Sequence, residues 1–214
     1  IKGLVLKVGW VVALTAGVLA AAALLTYSPA DPGFSVTGTK LPANLCGLAG
    51  AWFADAGFWF FGRSVWWVPA ALIVFGLVSL KNALVSPQRA RFAPVTATCG
   101  FILLLFLSSG LETLQLGYLG KGIPMGAGGL VGQYVASNIT PWLGVWGTTV
   151  ILVVLTACAA AMAFCFSWFK LAEALGAAMD DFWTFVQRAR PVKKETHEED
   201  EAKPWDVMLT EDAP

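Results

Sequence analysis

The sequence predicts an all-α integral membrane protein: four transmembrane helices with both termini cytoplasmic (N-in/C-in), short amphipathic interfacial helices in the outer loops, and a cytoplasmic amphipathic helix after span four. Three observations carry this. Four apolar stretches, at about 8–26, 64–80, 95–110 and 142–166, have no ionisable residue in their interiors. Each is close to the ~17–25 residues with which a helix crosses a hydrocarbon core of roughly 30 Å. Of the 214 residues, 57% are apolar and 13% charged, against about a quarter charged in soluble domains. The basic residues fall on one side: Lys2 and Lys7 precede span one, Lys81, Arg89 and Arg91 lie between spans two and three, and Lys170, Arg188, Arg190, Lys193 and Lys194 follow span four. The opposite loops hold only Lys40, Arg63 and Lys121, so the positive-inside rule puts both termini in the cytoplasm.

Span one is too long for the apolar core of a signal peptide and is expected to stay attached. Ile1 in place of an initiator Met suggests a trimmed fragment. Gly9, Ala13, Gly17 and Ala21 recur every fourth residue along the span. On a helix they share a face narrow enough for another backbone to approach, the small-xxx-small arrangement of membrane seams. Ala157, Ala161 and Cys165 repeat this more weakly in span four.

The outer loop, 27–63, opens with the turn formers Ser28-Pro29-Ala30-Asp31-Pro32-Gly33. Leu45, Leu48, Trp52, Ala56 and Trp59 then follow at near-helical spacing, so an interfacial helix is expected over about 45–61, with Asn44 capping it and Gly62 ending it. With Asp55 inside and about 15 residues, it is too short to span. Counting it as a span would also invert every later segment and break the charge rule. Trp66 and Trp67 suit a lipid boundary, and Pro69 near the start of span two falls where a helix tolerates proline. The second outer loop, with Gly126, Gly128, Gly129 and Gly132, reads as flexible. After span four, Trp168, Leu171, Ala172, Leu175, Met179, Phe182 and Val186 form a stripe at steps of three and four. An amphipathic helix packed on the membrane surface or on a partner is expected there, stopped by Pro191. The domain reading is therefore a membrane anchor over 1–190 and the start of an acidic disordered linker over 191–214.

The sequence also excludes chemistry. Intramembrane charges mark carriers and relays, and these spans lack them. Of the acidic residues only Asp31, Asp55 and Glu112 precede Glu173, so the tail is acidic and would repel nucleic acid. The stretch at Gly120-Lys121-Gly122 fails as a phosphate-binding loop, because Gln115 replaces the upstream glycine and Gly122 the Ser/Thr. His197, the single histidine, lies in the tail with no metal set around it. Asp55 and Glu112 lack the companions of a general acid/base pair. Cys99, Cys158 and Cys165 fall in spans and Cys46 outside them, which predicts small-residue packing and no disulfide. No catalytic, cofactor or metal site is expected.

The outer loop resembles that of a known family. Tyr27-Ser28-Pro29-Ala30-Asp31-Pro32-Gly33-Phe34-Ser35 is similar to the Y-x-P-x-D-P-x-x-S start of the FtsK/SpoIIIE periplasmic loop. Asn44, Gly47 and Gly50-Ala51-Trp52-Phe53-Ala54-Asp55 resemble its N-x-x-G-x-x-G-A-W-x-A-D segment, and Gly128-Gly129-Leu130-Val131-Gly132 its G-G-x-x-G. Ser167-Trp168, Leu171-Ala172-Glu173 and Gly176 look like the segment leaving the fourth span. The resemblance implies the four-span anchor of a septal DNA translocase in the inner membrane of a Gram-negative bacterium. Such an anchor binds other division proteins and couples chromosome segregation to cell division. A hexameric motor using ATP and Mg²⁺ would lie beyond Pro214, and the anchor itself would contact no nucleic acid. Asp31, Trp52 and Asp55 are the candidate interaction residues of the outer loop. The alternatives are a small multi-span transporter or channel subunit and, behind it, a membrane enzyme, which lacks a visible catalytic set.

Overall fold

A computed structural model describes residues 2–39, 41–85 and 94–189. The expected acidic linker at 191–214, His197 and the basic residues Lys40, Arg89, Arg91, Arg190, Lys193 and Lys194 lie outside these. The side chains of Lys2, Lys7, Leu171, Gln187 and Arg188 lie outside the description too. Among the described residues every regular element is helical: α1 (Lys2–Leu25), α2 (Gly47–Phe61), a 3-10 segment (Gly62–Trp66), α3 (Trp67–Val85), α4 (Pro94–Gln115), a second 3-10 turn (Gly117–Gly120), α5 (Gly129–Phe164) and α6 (Trp168–Ala189). Four apolar runs are long enough to cross a membrane: Val8–Leu25, Gly47–Lys81, Val95–Gln115 and Gly129–Phe164. The chain divides into two compact units, Ile1–Trp168 and Phe169–Pro214.

In the first unit the spans pack as two pairs, α1 with α3 and α4 with α5. Lipid is as apolar as these side chains, so close backbone approach rather than water exclusion holds such pairs. A Cβ on Gly17 would lie 2.8 Å from Ile73 Cγ1, and one on Gly76 only 2.6 Å from Leu14 Cγ. Two glycines, one from each helix, thus set the α1–α3 distance. Along the expected stripe, Ala13 and Gly17 are buried and Ala21 is half-buried. Beside Gly9 a Cβ would meet nothing within 4 Å. In the second pair, Leu104, Ser108 and Ser109 of α4 are buried, as are Thr148, Leu152 and Ala159 of α5. The seam expected at Ala157, Ala161 and Cys165 lies instead on Ala159 and Ala163, the latter against Gly100. Cys165 takes a left-handed φ of 51° and ends the helix, so it cannot extend a helical stripe.

Two long apolar runs are interrupted. The second, 35 residues long, breaks at Gly62, whose φ of 58° leaves the helix while its N–H still bonds Phe58 O. Gly62 therefore ends α2 as expected. The 15 residues of α2 reach about 22 Å at 1.5 Å each, short of a roughly 30 Å core. The fourth run starts earlier than the expected 142, because Gly129–Thr140 is helical rather than a flexible loop. It breaks at Gly144 (φ 68°, ψ 172°), a region essentially restricted to glycine. Thr148 Oγ1 donates to Gly144 O at 2.7 Å and Thr149 Oγ1 to Val145 O at 2.8 Å, occupying carbonyls at the break.

At the end of the bundle carrying loop 26–46, Leu24, Ala54, Phe58 and Val65 form a buried cluster with Tyr27, Phe61, Trp66 and Ile123 around it. The second unit takes in all but the first of the 22 residues of α6, with Leu175, Met179, Phe182, Trp183 and Phe185 exposed.

Candidate interaction site

The loop between α1 and α2 is held by two acidic side chains, each closing a different part. Asp31 accepts the N–H groups of Ala43 and Asn44, both at 3.0 Å, and draws the loop's ends together. Asn44 is buried, and its amide donates to Ala23 O at 2.8 Å while its oxygen accepts Cys46 N–H at 3.0 Å. Thr26 Oγ1 donates to Ala22 O at 2.8 Å and accepts Leu45 N–H at 3.1 Å. The last carbonyls of a helix need outside partners. Asn44 meets that need at the end of α1 instead of capping α2, where Cys46 stands at the cap position without a side-chain bond. Gly50 admits this junction, since a Cβ there would lie 2.4 Å from Asn44 Oδ1.

Asp55 closes the other part. It is 4% exposed. Its Oδ1 accepts Tyr27 OH at 3.1 Å and Ser35 Oγ at 3.0 Å, and its Oδ2 accepts the Ser35 N–H. A buried carboxylate is tolerated only when its lone pairs are met, and three donors meet them here. Burial first, and then the Asp55 carboxylate, push the Tyr27 hydroxyl above the usual tyrosine range, which keeps it a donor. Gly33 lies against the same carboxylate, where a Cβ would come within 2.8 Å of Oδ2. Asp55 was expected to face a partner; it faces inward and fastens the loop to α2. Asp31, half-buried, is likewise engaged within the loop.

Trp52 is the expected interaction residue that does face out, at 50% exposure. Gly50 and Ala54, each two residues from it, lie across the helix and are buried, so α2 buries one face and presents Leu48, Trp52 and Phe53 on the other. Leu45, part of the same spacing, is exposed as well (78%), and so is Leu41 (95%), which spacing does not single out. Phe34, exposed on the loop, packs edge-on against Trp59 at 5.3 Å.

The second loop joins the same end through glycines. Arg63 N–H donates to Ala127 O at 2.7 Å. A Cβ on Gly62 would sit 2.5 Å from Ala127 C, and one on Gly129 2.5 Å from Gly62 N. Gly128 and Gly132 lie on Ser109 O and Thr113 Oγ1 of α4. Ser64 and Ser108 share a hydrogen bond of 2.7 Å, and Ser109 Oγ donates to Phe61 O at 3.1 Å. Glu112 lies beside Ser64 and Arg63, with Oε2 buried and unpaired. It shares no hydrogen-bonding partner with Asp55 among the described residues, so the two carboxylates are separate features. No group of three or more metal-ligating side chains occurs among the described residues. The four cysteines are free; Cys46 Sγ rests 3.4 Å from Leu19 O, whereas Cys99, Cys158 and Cys165 are exposed rather than packed.

Comparison with known proteins places these features in context. The profile of a family described as the 4TM region of DNA translocase FtsK/SpoIIIE matches residues 3–176. DNA translocase FtsK 2 of Ralstonia nicotianae is 30% identical over 196 residues, 88% of this chain and 25% of that protein. DNA translocase FtsK 1 of Neisseria meningitidis serogroup B is 31% identical over 80% of this chain and 22% of its own length. DNA translocase FtsK of Vibrio parahaemolyticus is 31% identical over 78% of this chain and 16% of its own length. The chain thus spans a quarter or less of these curated relatives. No solved structure matches it.

Proposed function

Because this chain belongs to the family of the 4TM region of DNA translocase FtsK/SpoIIIE, we propose that it is the anchor and partner-binding part of an inner-membrane DNA translocase at the division septum. The observation that carries the reading is the match over residues 3–176, which takes in all four apolar runs and the loop fastened by Asp31 and Asp55. In this reading the anchor performs no catalysis and touches no nucleic acid. ATP, Mg²⁺ and hexamer formation belong to a motor in the rest of the protein, and the anchor couples that motor to division. The folded loop supports a binding role, because two internal acidic clasps hold in place a backbone that presents Trp52, Leu48 and Leu45 outward. Apolar aromatic anchors held rigid in this way are what protein interfaces use.

The test replaces Trp52 with Asp in the full-length protein fused to a fluorescent reporter. Trp52 is on the free face of α2, so the variant should insert in the membrane at normal level, yet its septal enrichment should fall at least several-fold. Unchanged enrichment would mean that this face does not carry septal binding.

A further inference from the structure

We propose that α6 lies along the bilayer surface, with its apolar face in lipid, and does not dock on a second protein. Two observations lead there, and the charge of the helix then says how it binds. First, the chain reverses at Cys165 (φ 51°), and Phe166 N–H bonds Ala161 O at 3.2 Å. The first residue of α6 is then tied back to the span: Trp168 Nε1 donates to Ala157 O at 3.0 Å, with its ring 4.8 Å from that of Phe166. Ala157 lies seven residues before the end of α5 at Phe164, about 10 Å along a helix axis. The start of α6 is therefore fixed at the edge of the lipid that surrounds α5, and the helix begins where its solvent is a bilayer interface.

Second, the faces of α6 separate, with Phe185 at one border. Leu175, Met179, Phe182 and Val186 follow each other at steps of four, three and four, with Trp183 beside them. Lys170, Glu173, Asp180, Asp181 and Thr184 take the opposite side. A helix with so divided a circumference and few apolar residues on its polar side suits an interface plane, where one face enters the acyl boundary and the other stays hydrated. The charge on α6 is wrong for lipid headgroup attraction. Lys170 and Arg188 oppose Glu173, Asp180 and Asp181, giving two cations against three carboxylates. A basic helix would be drawn to anionic lipid at about 1 kcal/mol per residue near the surface; this one would not. Its binding is apolar, independent of lipid charge, and depends on the tether that holds its start in place.

The experiment uses the whole chain in phosphatidylcholine vesicles, with the four native cysteines replaced by Ser and single spin labels at 175, 179 and 182 and at 173, 180 and 184. The expected result is that the first three labels are relaxed by oxygen and shielded from a water-soluble nickel chelate, and the second three the reverse. The pattern should persist when a third of the lipid is phosphatidylglycerol. Nickel access at all six positions would overturn the proposal in favour of a stalk in water. Shielding of 175, 179 and 182 from both reagents would overturn it in favour of a protein covering. As a check in a chain keeping its own cysteines, Met179→Glu with Phe182→Glu should raise deuterium uptake of α6 at least tenfold in the same vesicles; unchanged uptake would also overturn it.

Discussion

At the scale of single residues, Asp55 decides the most. Three donors converge on it from Tyr27 and Ser35, which lie 28 and 20 positions earlier in the chain. Removing one partner from a buried hydrogen bond leaves the other unsatisfied, which costs about 1–3 kcal/mol per group. Asp55→Ala should therefore free the Ser35 amide, speeding its hydrogen exchange at least tenfold in a reconstituted chain. The amides of Ala43 and Asn44 should change little, because Asp31 holds them. Equal exchange at Ser35 in the variant and the parent would show that the clasp is not what orders the loop. An acid set in an apolar run was visible in the sequence as out of place, and so was the turn-rich segment at Tyr27–Ser35. That one binds the other was not visible, because periodicity reports neighbours along a helix and carries nothing about contacts 20 residues apart. The residues of the resemblance are largely those of the clasp: Tyr27, Asp31, Gly33, Ser35, Asn44, Gly50 and Asp55. Their role is to shape the loop, and the surface they expose is built from less distinctive apolar side chains.

At the scale of elements, the spans were legible because a membrane-crossing helix must be long, apolar and uncharged whatever its neighbours. Their ends were less so. Gly128, Gly129 and Gly132 suggest a flexible loop, yet Gly128 and Gly132 press on α4 and Gly129 on Phe60 and Gly62, with no room for a Cβ. Glycine serves both purposes, and only the neighbouring backbone tells them apart. The small-residue stripe of α1 divides in the same way. Gly17 should not accept Leu, since even its Cβ would press on Ile73 and Leu72 of α3. Overpacking of this kind costs about 1–3 kcal/mol. Gly9→Leu should be nearly neutral, because nothing lies within 4 Å. Thermal unfolding in detergent checks the pair: a clear loss of stability for Gly17→Leu alone places the seam at mid-span, whereas equal effects would spread it along the whole helix.

At the scale of the molecule, the remaining question is the sidedness of the four apolar runs. The break at Gly62 matters most here. If α2 and α3 together formed one crossing, or α2 crossed alone, the sides of the later loops would follow different rules. The length of α2 and the burial of Asp55 on its packed face argue that α2 stays at the loop-bearing end, where Ser64, Phe61 and Arg63 meet α4 and the second loop. Leu41 and Tyr118, exposed at 95% and 69%, then lie on one side of the membrane, and Lys81 lies on the other. From the distribution of Lys and Arg, the positive-inside rule predicts that the side of Lys81 is cytoplasmic. Single cysteines at 41, 118 and 81, in a chain whose own cysteines are replaced by Ser, measure this directly. A membrane-impermeant maleimide applied to intact spheroplasts should label 41 and 118 and spare 81 until the cells are opened. Labelling of 81 together with 41 would require α3 to return to the side it left, and labelling of 118 only after lysis would require α2 to cross. Either result would reverse the course of the chain after α2 and place the second loop on the opposite side from Leu41.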